Sequence, residues 1–219
     1  MSIRMCVYVF LLLCVAPVQA GTKTIGVLVY DGVLTSDVTG PLEVFGVASK
    51  LSWFSDYTVK TISISAVETI TTEEGLKLGV DTSIDQVGKL DVLIVPSRYE
   101  MESLLSNQPL ISFIRSQAKQ VEWLSSNCSG ALLLAEAGVL EGKKATTWAG
   151  GEADFQKLYP KVDVQHDQNW VIDSNILTAN GSVVSYHAAL TLLKRMSSTS
   201  KAQEVADALQ FSRISSLSL

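Results

Sequence analysis

Histidine and cysteine are scarce in this sequence: two histidines and three cysteines among 219 residues. His166 and His187 stand apart, and no close-set cysteine pair accompanies them, so no metal-ligand spacing is present. There is no Walker loop and no G-x-G-x-x-G, which argues against a nucleotide; no cofactor of any kind is expected. No run of lysine or arginine occurs and the formal net charge is −5, so the basic footprint of a nucleic-acid binder is missing and no nucleic-acid partner is expected. Internal repeats, low-complexity stretches and convincing linkers are also lacking. What remains is 47% hydrophobic and only 18% charged, ample for a buried core and unlike a disordered chain. The length suggests one domain or at most two small ones.

Residues 1–20 read differently from the rest. Arg4 supplies a positive charge, Met5 to Val15 is an unbroken apolar run, and Pro17-Val18-Gln19-Ala20 ends on small residues in an A-x-A-like arrangement. This is the layout of a secretory signal peptide cleaved after Ala20. A spanning helix needs roughly 20 apolar residues, more than this run supplies. The expectation is an exported protein, periplasmic or secreted, whose mature domain covers residues 21–219 and does not engage a membrane. Cys6 and Cys14 would leave with the signal, and Cys128 would have no cysteine to pair with. Such a thiol is either buried and inert or reactive.

The rest of the chain alternates strand and helix signals. Thr24–Tyr30 reads as a buried strand, and Gly40-Pro41 opens a helix reaching Ala48, with proline at its first turn. Tyr57–Ser65 alternates as a strand, and residues 69–80 form a short β excursion around Glu73-Glu74-Gly75. Asp91–Val95 is a buried strand stopped by Pro96. A long helix is expected over Met101–Lys119, a strand over Val121–Ser126, and a helix over Ser129–Ala137 ended by Gly138. Further helices are expected over Glu152–Leu158, Val183–Met196 and Ala202–Phe211, with strands at Val162–Val164 and Ile176–Thr178. This alternation implies an α/β fold with a mainly parallel sheet covered on both faces. Ligands in such folds bind beyond the carboxyl ends of the strands. That puts Asp31–Asp37, Ser97–Tyr99, Asn127–Gly130 and Asn180–Ser182 on one rim.

The strongest local chemical signal is Ser126-Asn127-Cys128-Ser129-Gly130, between a strand and a helix. A nucleophile on so tight a turn needs small neighbours two residues to either side, and Ser126 and Gly130 provide them. This is nucleophile-elbow logic with cysteine in place of serine. The following helix N-terminus favours thiolate over thiol. A structural buried cysteine is the competing reading.

At this point the chain resembles the ThiJ/PfpI superfamily, of class I glutamine-amidotransferase-like type, on Cys128-Ser-Gly-Ala-Leu-Leu-Leu-Ala-Glu-Ala-Gly-Val-Leu-Glu-Gly-Lys-Lys-Ala-Thr-Thr147. Val29-Tyr-Asp-Gly32, Asp37-Val-Thr-Gly-Pro-Leu-Glu-Val-Phe45 and Thr178-Ala-Asn-Gly-Ser-Val-Val-Ser185 agree with it. The branch it looks most like holds the isonitrile hydratases and the domains fused to AraC-type regulators. The resemblance runs from about Ile25 to Met196. It implies a flavodoxin-like three-layer sandwich, commonly a homodimer, with a small molecule as partner. It also implies Cys128 as nucleophile, Asp37 as the acid beside it, and Ser129 with its backbone N–H as part of the substrate site. A carboxyl next to a thiolate should hold its proton and serve as general acid or orient a water; a helix N-cap is the alternative role for Asp37.

Three departures from the family pattern stand out. A glycine-rich turn is replaced by Ser97-Arg98; Ser97 could still present its N–H to an oxyanion, while Arg98 would either bind an anionic substrate or face solvent. Ser129 occupies the place of the histidine of peptidase-like members, which disfavours a Cys-His protease. Relatives often read Thr-Thr-His-Trp where this chain has Thr146-Thr147-Trp148. His187 begins a late helix, and His166 lies in a polar stretch. Glu43, Trp148 and Asn180 are candidates to line the pocket, with core or capping roles equally open. Two function classes follow: a cysteine-dependent enzyme on a small electrophile, isonitrile-hydratase-like, or a non-catalytic ligand- or oxidant-sensing domain. A chaperone or glyoxal-detoxifying role, known elsewhere in the superfamily, has no residue here that selects it.

Overall fold

A computed structural model describes residues 21–52 and 56–216; the expected signal segment, 1–20, lies outside the described residues. In chain order the elements are β1 (Lys23–Val29), α1 (Thr35–Lys50), β2 (Tyr57–Ser63), β3 (Thr69–Thr71), β4 (Lys77–Gly79), β5 (Thr82–Ser83), β6 (Val92–Val95), α2 (Glu102–Leu105), α3 (Gln108–Gln117), β7 (Trp123–Asn127), α4 (Gly130–Glu136), β8 (Lys144–Ala145), α5 (Glu152–Leu158), β9 (Asp163–Val164), β10 (Trp170–Asp173), β11 (Ile176–Ala179), α6 (Val184–Met196) and α7 (Thr199–Ala208). A 3-10 turn, Phe211–Ser216, follows.

The main sheet has seven strands in the order β10-β11-β7-β6-β1-β2-β5. All its pairings are parallel except β10 with β11. Its centre is apolar because helices cover both faces: Val92–Val95 are all buried, as are Ile25 and Val27–Val29 of β1. Each such aliphatic side chain contributes about 1.5–3 kcal/mol on burial. From β1 the chain steps one way to β2. It then returns to β6 on the other side and continues to β7 and β11. Right-handed crossovers put α1 on one face and α2, α3 and α4 on the other; α6 and α7 pack beside α1. The direction reverses between β1 and β6, and a crevice at the carboxyl ends of the strands belongs at that switch point.

Several elements differ from the sequence expectation for identifiable reasons. α1 starts at Thr35, ahead of Gly40-Pro41, so Pro41 lies inside it. Leu34 at its N-cap offers no side-chain cap. The cap comes instead from the β3–β4 turn, where the Glu74 carboxylate accepts from the Thr35 N–H at 3.0 Å and the Thr35 hydroxyl at 2.5 Å. The expected helix over residues 101–119 is divided into α2 and α3, because the Asn107 side chain caps a new start, accepting from Leu110 N at 3.0 Å with Pro109 in the first turn. β10 was hidden by the polar stretch before it and forms as the second arm of a hairpin with β11. α7 begins at Thr199, before Ala202, because Ser198 caps it by accepting from Lys201 N at 3.1 Å.

Candidate active site

Cys128 sits between β7 and α4 with φ 51°, a left-handed conformation costing a non-glycine residue about 1–2 kcal/mol. Its neighbours hold it there. Its N–H donates to the Ala179 carbonyl at 2.8 Å, and its own carbonyl accepts from the Thr147 hydroxyl at 3.0 Å. Gly130 is required two residues later, because a Cβ there would meet the Val95 carbonyl oxygen at 2.3 Å and that of Pro96 at 2.7 Å. The turn is pressed against the end of β6, and backbone atoms cannot give way.

Asp37, wholly buried in the first turn of α1, points across the strand ends rather than capping its own helix. Its Oδ2 accepts from the Ser97 hydroxyl at 2.5 Å and the Ser97 N–H at 3.2 Å. Its Oδ1 accepts from the Ser182 N–H and the Ser185 hydroxyl, both at 2.8 Å. Gly181 (φ 84°) packs where Asp37 meets Cys128: a Cβ on it would lie 2.5 Å from the Cys128 Cβ and 2.9 Å from Asp37 Oδ1. Gly181 therefore packs against both Asp37 and Cys128 and leaves no room there for a side chain.

Burial pushes the Asp37 carboxyl above its usual range, against the pull of the Ser97 and Ser185 hydroxyls and the Ser182 and Ser97 N–H groups. Burial, and then the Asp37 charge, also push the Cys128 thiol up; the Ser97 hydroxyl and the backbone N–H and hydroxyl of Ser129 pull it down. Ser97 thus acts on both groups. A buried acid and a buried thiol this close disfavour a second negative charge. A neutral Asp37 can place its proton on the Ser97 or Ser185 oxygen, since a hydroxyl also accepts. Tyr30 stands behind them, buried, its hydroxyl donating to the Pro96 carbonyl at 2.5 Å. Burial and the Asp37 charge hold that phenol far above its ordinary range.

The structure thus gathers Cys128, Asp37, Ser97 and Ser129. The other candidates are engaged by partners of their own. The Ser129 hydroxyl donates to the Arg98 carbonyl at 3.1 Å. The Arg98 guanidinium is turned to the Glu100 carboxylate, to the Ser103 hydroxyl at 2.9 Å and to the Asp31 carbonyl at 3.4 Å, so it fastens the rim loops together. Asn180 donates to the Thr147 carbonyl at 2.5 Å, bracing the segment that holds the Cys128 carbonyl. The Trp148 indole covers Gly151, where a Cβ would come within 1.8 Å of the ring. Glu43 accepts from the Tyr186 hydroxyl at 2.8 Å. His166 is exposed in the loop before β10, and the His187 ring lies against Trp170 and Phe211. Sequence reasoning missed Ser185 and Tyr30; Ser185 carried a signal, a lone hydroxyl on the buried face of an apolar helix. Among the described residues no group of three His, Cys, Asp or Glu could hold a metal ion.

This constellation can be compared with known proteins. The chain is 32% identical over 189 residues to the isonitrile hydratase of Pseudomonas putida, covering 85% of this chain and 78% of that one. It is 25% identical over 181 residues to the transcriptional regulator GbdR of Pseudomonas aeruginosa, covering 83% of this chain but only 48% of the regulator. The crystal structure of a ThiJ/PfpI family protein from Pseudomonas syringae matches with a TM-score of 0.77 at 22% identity, over 87% of this chain and 76% of that one, which establishes the shared flavodoxin-like fold. The DJ-1/PfpI family profile matches residues 23–195, from the first strand through the last turn of α6, and the chain belongs to that family.

Proposed function

We propose that this protein is a cysteine-dependent enzyme acting on a small electrophile, in the manner of an isonitrile hydratase. The observation that carries this reading is the fully buried Asp37 beside Cys128, with the Ser97 hydroxyl acting on both. The 32% identity to an isonitrile hydratase supports it. In the proposed course the Cys128 sulfur bonds to the terminal carbon of R–N≡C, and its proton passes through Asp37 to that carbon, giving the thioimidate Cys–S–CH=N–R. Water then adds to the same carbon, the C–S bond breaks, nitrogen and sulfur each recover a proton, and R–NH–CHO leaves. The Ser129 N–H is assigned to charge developing in the transition state; the Ser97 N–H, expected from the sequence to serve there, is instead taken up by the Asp37 carboxylate. Trp148, Asn180 and Arg98 are assigned to shaping and bracing the rim on which the substrate sits. The N-terminal layout supports an exported protein, and the family resemblance supports a homodimer.

A second reading, a non-catalytic ligand- or oxidant-sensing domain, is favoured by the likeness to GbdR. Turnover of cyclohexyl isocyanide to its formamide, followed by chromatography, separates the two. The expected result is turnover abolished in Cys128→Ala and reduced by about 10²–10⁴-fold in Asp37→Asn. Full activity in Cys128→Ala would sink the enzymatic mechanism. An intact thiol that oxidises cleanly under mild peroxide but turns over no isonitrile would leave the sensing reading.

A further inference from the structure

A cavity lies apart from Cys128. It is a groove of about 1120 Å³ bounded by the edge strand β10, by α6 and α7, and by the 3-10 turn that follows α7. This is slightly above the usual range of roughly 300–1,000 Å³ for small-molecule sites. α6 contributes His187, Leu190, Thr191 and Lys194, the i, i+3, i+4, i+7 spacing of a single helix face. Opposite them, α7 presents Ala202 and Ala206, small residues one turn apart, and their lack of bulk opens the groove. Trp170 and Ile172 share one face of β10 and form a wall.

Two features give this groove a chemical character. One end is aromatic: the His187 ring lies 4.2 Å from that of Trp170 and 5.7 Å from that of Phe211, centroid to centroid. The other end is cationic: Lys194 and Arg195 line it, both exposed, and neither makes an ion pair among the described residues. Among the described residues no acidic side chain lines the groove, although acids outnumber bases in the chain by 22 to 17. A neutral apolar molecule would leave both cations unused, and a cation would be repelled by them. An apolar body against Trp170 and Phe211, with a negative group reaching Lys194 and Arg195, satisfies every wall.

We propose that the groove is a binding site for a small amphipathic organic anion, an aromatic or alkyl body bearing a carboxylate or sulfonate, separate from the Cys128 site. The test uses 8-anilino-1-naphthalenesulfonate fluorescence with the folded protein at low salt, and decanoate as competitor. Saturable one-to-one binding that decanoate displaces is expected. The Lys194→Glu/Arg195→Glu variant should weaken it by at least about tenfold, while its Cys128 is alkylated at the parent rate. Gln203→Trp, at an exposed position on the groove's lining, should block it independently by filling the space. Absence of saturable binding in the folded protein, or equal affinity in both variants and the parent, would overturn the proposal.

Discussion

Substituting Gly181 by alanine tests the close packing of Gly181 against both Cys128 and Asp37. Gly181 has φ 84°, and its added Cβ would lie 2.5 Å from the Cys128 Cβ, 2.9 Å from Asp37 Oδ1 and 3.0 Å from Cys128 N. Two costs combine. Left-handed backbone costs alanine about 1–2 kcal/mol, and crowding a packed site adds about 1–3 kcal/mol. Gly142 separates them: its φ is 70° and nothing lies within 4 Å of a Cβ there, so Gly142→Ala carries only the first. For a domain of this size each kcal/mol is worth about 2–4 °C. Gly181→Ala should therefore melt roughly 4–20 °C below the parent, and Gly142→Ala roughly 2–8 °C below. Differential scanning calorimetry reads both, and iodoacetamide labelling shows whether Cys128 alone is disturbed in Gly181→Ala. Equal losses in the two variants would refute the close approach of Gly181 to Cys128 and Asp37.

Asp37→Asn tests the protonation of the pair. Burial raises the folded pKa of Asp37, so its contribution to stability is full below the unfolded value of about 3.9 and is lost as pH rises through the higher folded value. The asparagine variant cannot charge, so it should gain on the parent in urea-unfolding midpoints between pH 4 and 8. Its Cys128 should also be alkylated faster at pH values high enough to ionise Asp37 in the parent, because the charge that pushes the thiol up is then absent; a stability difference indifferent to pH would show that Asp37 is not held neutral. Glu74→Gln tests the cap on α1. The Thr35 hydroxyl bond lowers the Glu74 pKa in the folded state, so its contribution is present above the unfolded value of about 4.3 and disappears as pH falls. After allowance for solvent screening the substitution should cost about 0.5–1 kcal/mol at pH 7 and nothing near pH 3, and an equal cost at both would assign the effect to shape instead of charge.

The sheet was legible because its inner strands carry an unambiguous signal. Val92–Val95 is buried on both faces and bounded by Pro96, a pattern that few other structures tolerate. The elbow was legible because its constraint is local: small residues at 126 and 130 around one cysteine. The helix starts were not, because their caps come from elsewhere. Nothing near Thr35 announces that Glu74, on a separate hairpin, will satisfy its N–H. A proline six residues later reads more naturally as a beginning. For the same reason the environment of Asp37 was only half visible. Its nearness to Cys128 came from family resemblance, but Ser185 reaches it from a helix 148 residues further along the chain, a distance that no pattern rule spans. Arg98 shows the converse. Its charge suggested either a ligand or solvent, and Glu100, two residues away, turned out to engage it.

Pro41 connects these levels. Inside a helix a proline cannot donate to the carbonyl four residues back, and here that carbonyl belongs to Asp37. The lost bond is replaced: the Asn127 side-chain amide, at the end of β7, donates to the Asp37 carbonyl at 3.2 Å. The acid on α1 is thereby fastened through its backbone to the residue that precedes the nucleophile, while its carboxylate is fastened to Ser97, Ser182 and Ser185. A regular helix would have consumed that carbonyl internally and left Asn127 with neither of its polar ends bonded, since Asn127 Oδ1 already has no partner among the described residues. The defect in the helix thus ties the segment that carries Asp37 to the segment that carries Cys128. The tether runs from the Asp37 backbone carbonyl to the Asn127 side chain, so it holds α1 to the end of β7 whatever the rotamer of the Asp37 carboxylate.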